Sequence, residues 1–294
     1  MNFIETKPDA SGNPVKLFYQ DSGAGKPVVF IHGWPLNHEM WEYQLTELSR
    51  HHLRCIAYDR RGFGKSDRPW DNYDYDTLAD DLKAVIDQLK LTKVILVGFS
   101  MGGGEIARYI GKYGTDHIEK VVLISAVTPF MLKTADNPDG VGKEIFDEMV
   151  ENISNDRPAF LAEFGKHFYG VNKNSHAVSQ PFLDWSQMHC LMSSAKASAD
   201  CIRSFSETDF RKDLKKINVP ALIIHGDADQ TVPIAISGDK TATMLPHAKY
   251  IVYKDAPHGL FITHKEKLNK DLLQFIGAQE NAGSKKNEIS VFDK

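Results

Sequence analysis

The sequence predicts an α/β protein built on one mostly parallel sheet with helices against both faces. Three observations predict it. Short, wholly apolar runs recur along the chain, as in strands buried on both faces. Stretches with apolar residues at helical spacing separate them. The chain has 294 residues, 42% of them hydrophobic and 25% charged, enough to bury one large core.

The elements follow in order. Phe3 to Asp21 reads as an N-terminal hairpin turning at Ser11-Gly12-Asn13-Pro14. Val28-Val29-Phe30-Ile31 is a buried strand, and Trp41, Leu45 and Leu48 share one face of the helix after it. Cys55-Ile56-Ala57-Tyr58 is the next strand. Leu78, Leu82, Val85, Ile86 and Leu89 mark the following helix, with Asp74 placed to cap it. Val94-Ile95-Leu96-Val97 precedes a helix carrying Ile106, Tyr109, Ile110 and Tyr113. Val121-Val122-Leu123-Ile124, Ala221-Leu222-Ile223-Ile224 and Tyr250-Ile251-Val252-Tyr253 supply further strands, for about eight in all. Leu268, Leu272 and Ile276 line the last helix.

The alternation breaks between Ala126 and Phe205, a stretch without a strand pattern and rich in aromatics. It is too long for a plain crossover and reads as a helical insertion. Two readings stand: extra core, or a lid over a site at the strand ends, where open sheets bind ligands. The expected organisation is therefore a core of residues 1–125 and 206–278, a helical cap at 126–205, and a polar tail at 279–294.

A net charge of -4 gives no basic footprint for nucleic acid. No apolar run reaches membrane-spanning length, and Met1 to Ala10 lacks an apolar signal core. A cytoplasmic location is expected. Cys55, Cys190 and Cys201 have neither disulfide-framework nor zinc-ribbon spacing. His38-Glu39 does not extend to HExxH, because position 42 is Glu42, and no metal is expected.

The strongest chemical signal is Val97-Gly98-Phe99-Ser100-Met101-Gly102, continuing to Glu105. It holds G-x-S-x-G after a buried strand and before a helix, which sets a serine on a tight turn above the sheet. Glycines are needed at 98 and 102 because side chains there would clash within the turn. The helix start turns free N–H groups, Met101 first, toward a developing oxyanion. Two competitors are weaker. Gly102-x-Gly104-x-x-Ala107 lacks the acidic residue a dinucleotide fingerprint needs at the next strand end, where Ser125 stands. Gly62-Phe63-Gly64-Lys65-Ser66 lacks the first glycine of a phosphate loop, since position 59 is Asp59.

A serine nucleophile needs a base and an orienting acid, and where the serine sits on such a strand-to-helix turn they follow in the chain order Ser, Asp or Glu, His. Ile224 to Asp229 and Tyr253 to Gly259 both end buried runs and offer them. His258 is the candidate base. Asp229 is the candidate acid, with Asp227 as an alternative that could brace the turn. His32 and His225 are read as backbone supports. Trp34, in His32-Gly33-Trp34-Pro35, is the candidate second oxyanion donor, because Pro35 has no N–H. Pro35 either fixes the direction of the Trp34 carbonyl or is a plain turn residue.

These residues bring out a resemblance. The chain resembles the α/β-hydrolase superfamily over nearly its whole length, and within it the arylesterase and cofactor-free (non-haem) haloperoxidase group. The resemblance rests on HGWP at 32–35, YDRRGFGKSD at 58–67 and VGFSMGGGE at 97–105. It rests also on AVTPF at 126–130, SFSETDFRKDL at 204–214, IIHGDADQTVP at 223–233 and YKDAPHG at 253–259. It implies the α/β-hydrolase fold, Asp229 as triad acid beside Ser100 and His258, and an oxyanion hole from Trp34 and Met101. It implies no metal and no cofactor, and a homo-oligomer. A proline after the HGW tryptophan resembles the perhydrolases.

The implied activity is hydrolysis of small aryl or alkyl esters through an acyl-serine, with peracid formation when hydrogen peroxide replaces water. Pro35, Val127, Phe130, Phe164, Phe168, Phe205 and Val232 are expected to line the substrate pocket, on apolar character and family position. Lactonase or γ-lactamase chemistry would use the same triad. A slowly turning small-ligand receptor is the alternative of another class.

Overall fold

A computed structural model describes residues 2–172 and 177–277. An eight-stranded sheet forms the centre, in the order β1-β2-β4-β3-β5-β6-β7-β8. Strands β1 (Phe3–Pro8) and β2 (Pro14–Gly23) pair antiparallel as the expected hairpin, and β2 also runs antiparallel to β4 (Leu53–Tyr58). The rest is parallel: β3 (Lys26–Ile31), β4, β5 (Val94–Phe99), β6 (Ile118–Ile124), β7 (Ala221–Gly226) and β8 (Lys249–Tyr253). All six residues of β5 and all six of β7 are buried, which is why these runs carry no polar alternation.

Helices α1 (Glu42–Leu48), α2 (Tyr75–Gln88) and α3 (Met101–Tyr113) connect the parallel strands. Asp74 caps α2 as expected, its side chain accepting from the Thr77 N–H at 3.0 Å. Between β6 and β7 lie α4 (Lys143–Phe168), α5 (Gln180–Leu191), α6 (Ala195–Glu207) and α7 (Arg211–Leu214). Helix α4 is broken at Asp156, which leaves helical φ/ψ. Its carboxylate accepts from the Ala159 N–H at 3.0 Å, and Pro158 occupies the first turn of the second half, where its missing N–H costs nothing. After β7 come α8 (Gly238–Met244), α9 (Leu260–Thr263) and α10 (Lys265–Ile276). Leu268, Leu272 and Ile276 of α10 are buried, as their spacing predicts. The expected tail at 279–294 lies outside the described residues. Among the described residues no helix is long and apolar enough to cross a membrane.

Candidate active site

Ser100 stands between β5 and α3 with φ +53 and ψ −117, a left-handed backbone that the turn imposes. The turn closes only without side chains on either side. A Cβ on Gly98 would lie 2.5 Å from the Gly102 carbonyl oxygen, and one on Gly102 would lie 2.4 Å from that of Ile31. The Ser100 N–H donates to the Ile124 carbonyl at 2.8 Å, so the neighbouring strand holds the turn as well.

The loops after β7 and β8 bring the two other candidates to Ser100. His258 Nε2 lies 3.0 Å from Ser100 Oγ, and His258 Nδ1 lies 2.6 Å from Asp229 Oδ2. All three residues are buried. Asp229 Oδ1 accepts from the backbone N–H groups of Thr231 at 3.0 Å and Val232 at 2.8 Å. Burial alone would raise the Asp229 carboxyl. The opposing pull of His258, and hydrogen bonds from His225 and His258, prevail and hold it well below the usual carboxylate range. An ionised Asp229 fixes the proton on His258 Nδ1 and leaves Nε2 bare toward the serine. The alternative acid is otherwise engaged: Asp227 Oδ1 accepts from the Asp255 N–H at 2.6 Å, bracing the turn.

His225 supports backbone, as read from sequence, with Nε2 2.9 Å from the Val232 carbonyl. It also approaches Asp229 Oδ2 at 3.3 Å, a contact no sequence signal announces. His32 does likewise beneath the other loop. Its Nδ1 faces the Gly33 carbonyl at 2.9 Å and its Nε2 accepts from the Arg60 N–H at 2.9 Å.

Ser100 opens into an apolar cavity of about 400 Å³ lined by Trp34, Val127, Met131, Phe146, Phe164, Phe205 and Val232, among others. Met101 opens α3, so its N–H belongs to the first turn, which has no intrahelical acceptor. Among the described residues, no group of three or more His, Cys, Asp and Glu could hold a metal ion.

A family model for the α/β hydrolase fold matches residues 26–265. The chain belongs to the α/β-hydrolase fold family. Within this family it falls in the non-haem haloperoxidase group. It is 43% identical over 264 residues to a non-heme chloroperoxidase of Kitasatospora aureofaciens, covering 89% of this chain and 96% of that one. It is 44% identical over 280 residues to a bifunctional esterase/perhydrolase of Acinetobacter calcoaceticus, covering 94% and 99%. Among solved structures, a bromoperoxidase from Bacillus anthracis superposes with TM-score 0.89 at 47% identity, over 94% of this chain and 100% of that one.

Four residues expected in the α/β-hydrolase pocket besides Trp34 line the Ser100 cavity: Val127, Phe164, Phe205 and Val232. Three do not. Phe130 is turned away, its ring 5.4 Å below the Arg211 guanidinium. Phe168 packs against the His258 ring rather than lining the cavity. Pro35, joined to Trp34 by a cis peptide, lines a separate small cavity of about 60 Å³, which Phe164 and Phe168 also border. The reason is shared. Apolar character marks a buried side chain but not its direction, and each of these three finds apolar or cationic company beside the cavity. Met131, Val141, Ile145, Phe146 and Met149 line the cavity unforeseen. They come from the segment after β6 and from the part of α4 that precedes the break at Asp156.

Proposed function

We propose that this chain is a serine esterase with perhydrolase activity, cleaving small apolar aryl or alkyl esters. The observation that carries the reading is the unbroken line Asp229–His258–Ser100 ending in an apolar cavity. Ser100 Oγ attacks the ester carbonyl and its proton passes to His258 Nε2. The oxyanion forms between the N–H groups of Met101 and Trp34. Collapse expels the alcohol, which takes the proton from His258 and leaves an acyl-serine. Water, deprotonated by His258, releases the carboxylic acid. Hydrogen peroxide in its place releases a peracid, an oxidant for halide that needs no redox centre in the protein.

The similarity to a bifunctional esterase/perhydrolase and to non-heme chloroperoxidases supports both acceptors. Cytoplasmic residence and homo-oligomeric assembly belong to the same proposal. Three buried, unpaired cysteines suit a reducing compartment.

Phenyl acetate turnover with and without peroxide tests the reading, with Ser100→Ala as control. Wild-type protein releases phenol, and peroxide diverts product to peracetic acid. Ser100→Ala loses on the order of 10⁴ to 10⁶ in rate. Near-wild-type turnover by Ser100→Ala overturns the assignment.

A further inference from the structure

We propose that Arg60 and Glu105 are positioning residues for the oxyanion hole: their buried ion pair fastens the loop carrying Trp34 to the helix opened by Met101, and so sets the spacing of the two N–H donors. The proposal rests on the esterase reading above, in which those donors act.

Arg60 follows β4 and Glu105 lies on the second turn of α3, and both side chains are 0% exposed. Arg60 Nε and Nη2 each lie 2.9 Å from Glu105 Oε2. The same Nη2 donates to the His32 carbonyl at 2.8 Å. The Arg60 backbone N–H donates to His32 Nε2, and Tyr58 OH donates to Glu105 Oε1, so both ends of the pair are themselves held. His32 and Gly33 directly precede Trp34. On the helix side the first turn presses on the same backbone, since a Cβ on Gly102 would fall 3.0 Å from the His32 carbonyl oxygen. One guanidinium thus ties the strand end that supplies one donor to the helix that supplies the other.

Stability alone does not account for this arrangement. Replacing a buried ion pair by apolar side chains of similar volume is often neutral or stabilising. What the apolar pair lacks is direction. The planar fork of Arg60 fixes two partners on different elements at set angles. Hydrogen bonds to an oxyanion are sensitive to such placement, because a donor displaced by about 1 Å forfeits much of its effect on rate.

The test is the double variant Arg60→Met/Glu105→Met, which removes both charges at once and leaves neither buried alone. It is assayed on phenyl acetate beside wild type and Ser100→Ala. The expected result is a folded protein whose kcat falls about 10- to 100-fold while KM moves less than about threefold. Affinity for a boronic acid, whose tetrahedral adduct with Ser100 uses the same donors, falls in step with kcat. Unchanged kcat and boronate affinity in the folded double variant overturn the inference. Should the double variant not fold, Arg60→Lys keeps the charge and loses the fork. It is expected to show the same split at about three- to tenfold, and a wild-type kcat there is equally decisive against. Activity surviving in Ser100→Ala would instead defeat the esterase reading itself, so the two failures are distinguishable.

Discussion

Phe168 meets the His258 imidazole edge-on, with ring centroids 4.8 Å apart and planes at 86°. Phe99 closes on the same ring at 4.8 Å and 47°. The base is thus held between two aromatic side chains, one from the strand that ends at Ser100 and one from the last turn of α4. Asp229 fixes the tautomer of His258, and these rings fix its plane. Phe168→Ala should therefore affect rate more than binding. It is buried at 2% exposure, and its truncation removes a wall between His258 and the small cavity beside Pro35. The expected cost is about 3 to 5 kcal/mol of stability, with kcat lowered and KM little changed. Denaturant unfolding and steady-state kinetics on one activated ester check both parts. A rise in KM at constant kcat would return Phe168 to the substrate pocket.

The cavity beside Ser100 makes a prediction about acyl size. Met149 lines it from α4 and is only partly buried, so the site accepts a larger side chain with little strain on the core. Met149→Trp should narrow the cavity and lower kcat/KM for octanoyl esters by about tenfold relative to acetyl esters. The ratio across an acyl series of 4-nitrophenyl esters measures it. An unchanged ratio means that the acyl chain lies elsewhere.

The contrast between Ser100 and Phe168 shows what the sequence made legible. The turn at Ser100 is a local matter. Strand, two glycines and helix are adjacent in the chain, and their sterics dictate the geometry wherever the turn sits. The central strands were legible for the same reason, since each buried run carries its own pattern. Tyr250 to Tyr253 reads the same way but forms the edge strand β8, where Val252 is exposed. Asp229 was less so. Asp227 and Asp229 follow the same strand, and only the partner of each, the Asp255 N–H or His258, tells them apart. The cavity wall was least legible. Phe130, Phe164 and Phe168 look alike in the sequence, and their directions are set by partners distant in the chain: Arg211 for Phe130, Trp34 for Phe164 and His258 for Phe168. The Arg60–Glu105 contact was invisible because its two halves sit in separate motifs that only the fold brings together.

Gly102 at the turn and Gly165 in α4 give a paired test of local sterics. A Cβ on Gly102 would stand 2.4 Å from the Ile31 carbonyl oxygen, and Ile31 is fixed by pairing with both β4 and β5. That backbone has nowhere to move. Gly165, inside α4, has nothing within 4 Å of the same construction. Gly102→Ala is expected to cost about 3 kcal/mol or more, or to prevent folding outright. Gly165→Ala should gain about 0.5 to 1 kcal/mol from helix propensity. Thermal unfolding of the two variants side by side checks this. A stable Gly102→Ala protein would show that β3 and α3 can separate.

His32 makes the chain sensitive to acid. Burial, reinforced by the nearby Arg60 charge, pushes its imidazole down to about 3 from the ordinary 6.5. The hydrogen bonds explain why relaxation does not help. Nδ1 already faces the Gly33 carbonyl as donor, and Nε2 must stay bare to accept from the Arg60 N–H. A second proton would set two N–H groups against each other. Between pH 6.5 and about 3 the unfolded chain therefore takes up a proton at His32 that the folded chain refuses. This group's contribution to stability is complete above about pH 6.5. It is lost as pH falls toward 3, with a slope approaching about 1.4 kcal/mol per pH unit. His32→Gln removes the titration. The variant is expected to be less stable than wild type near pH 7, because one of the two hydrogen bonds goes. Its stability should also fall less steeply between about pH 6 and pH 4, by up to that same slope. Urea unfolding at several pH values gives both curves, and parallel curves would mean that His32 is protonated in the fold after all.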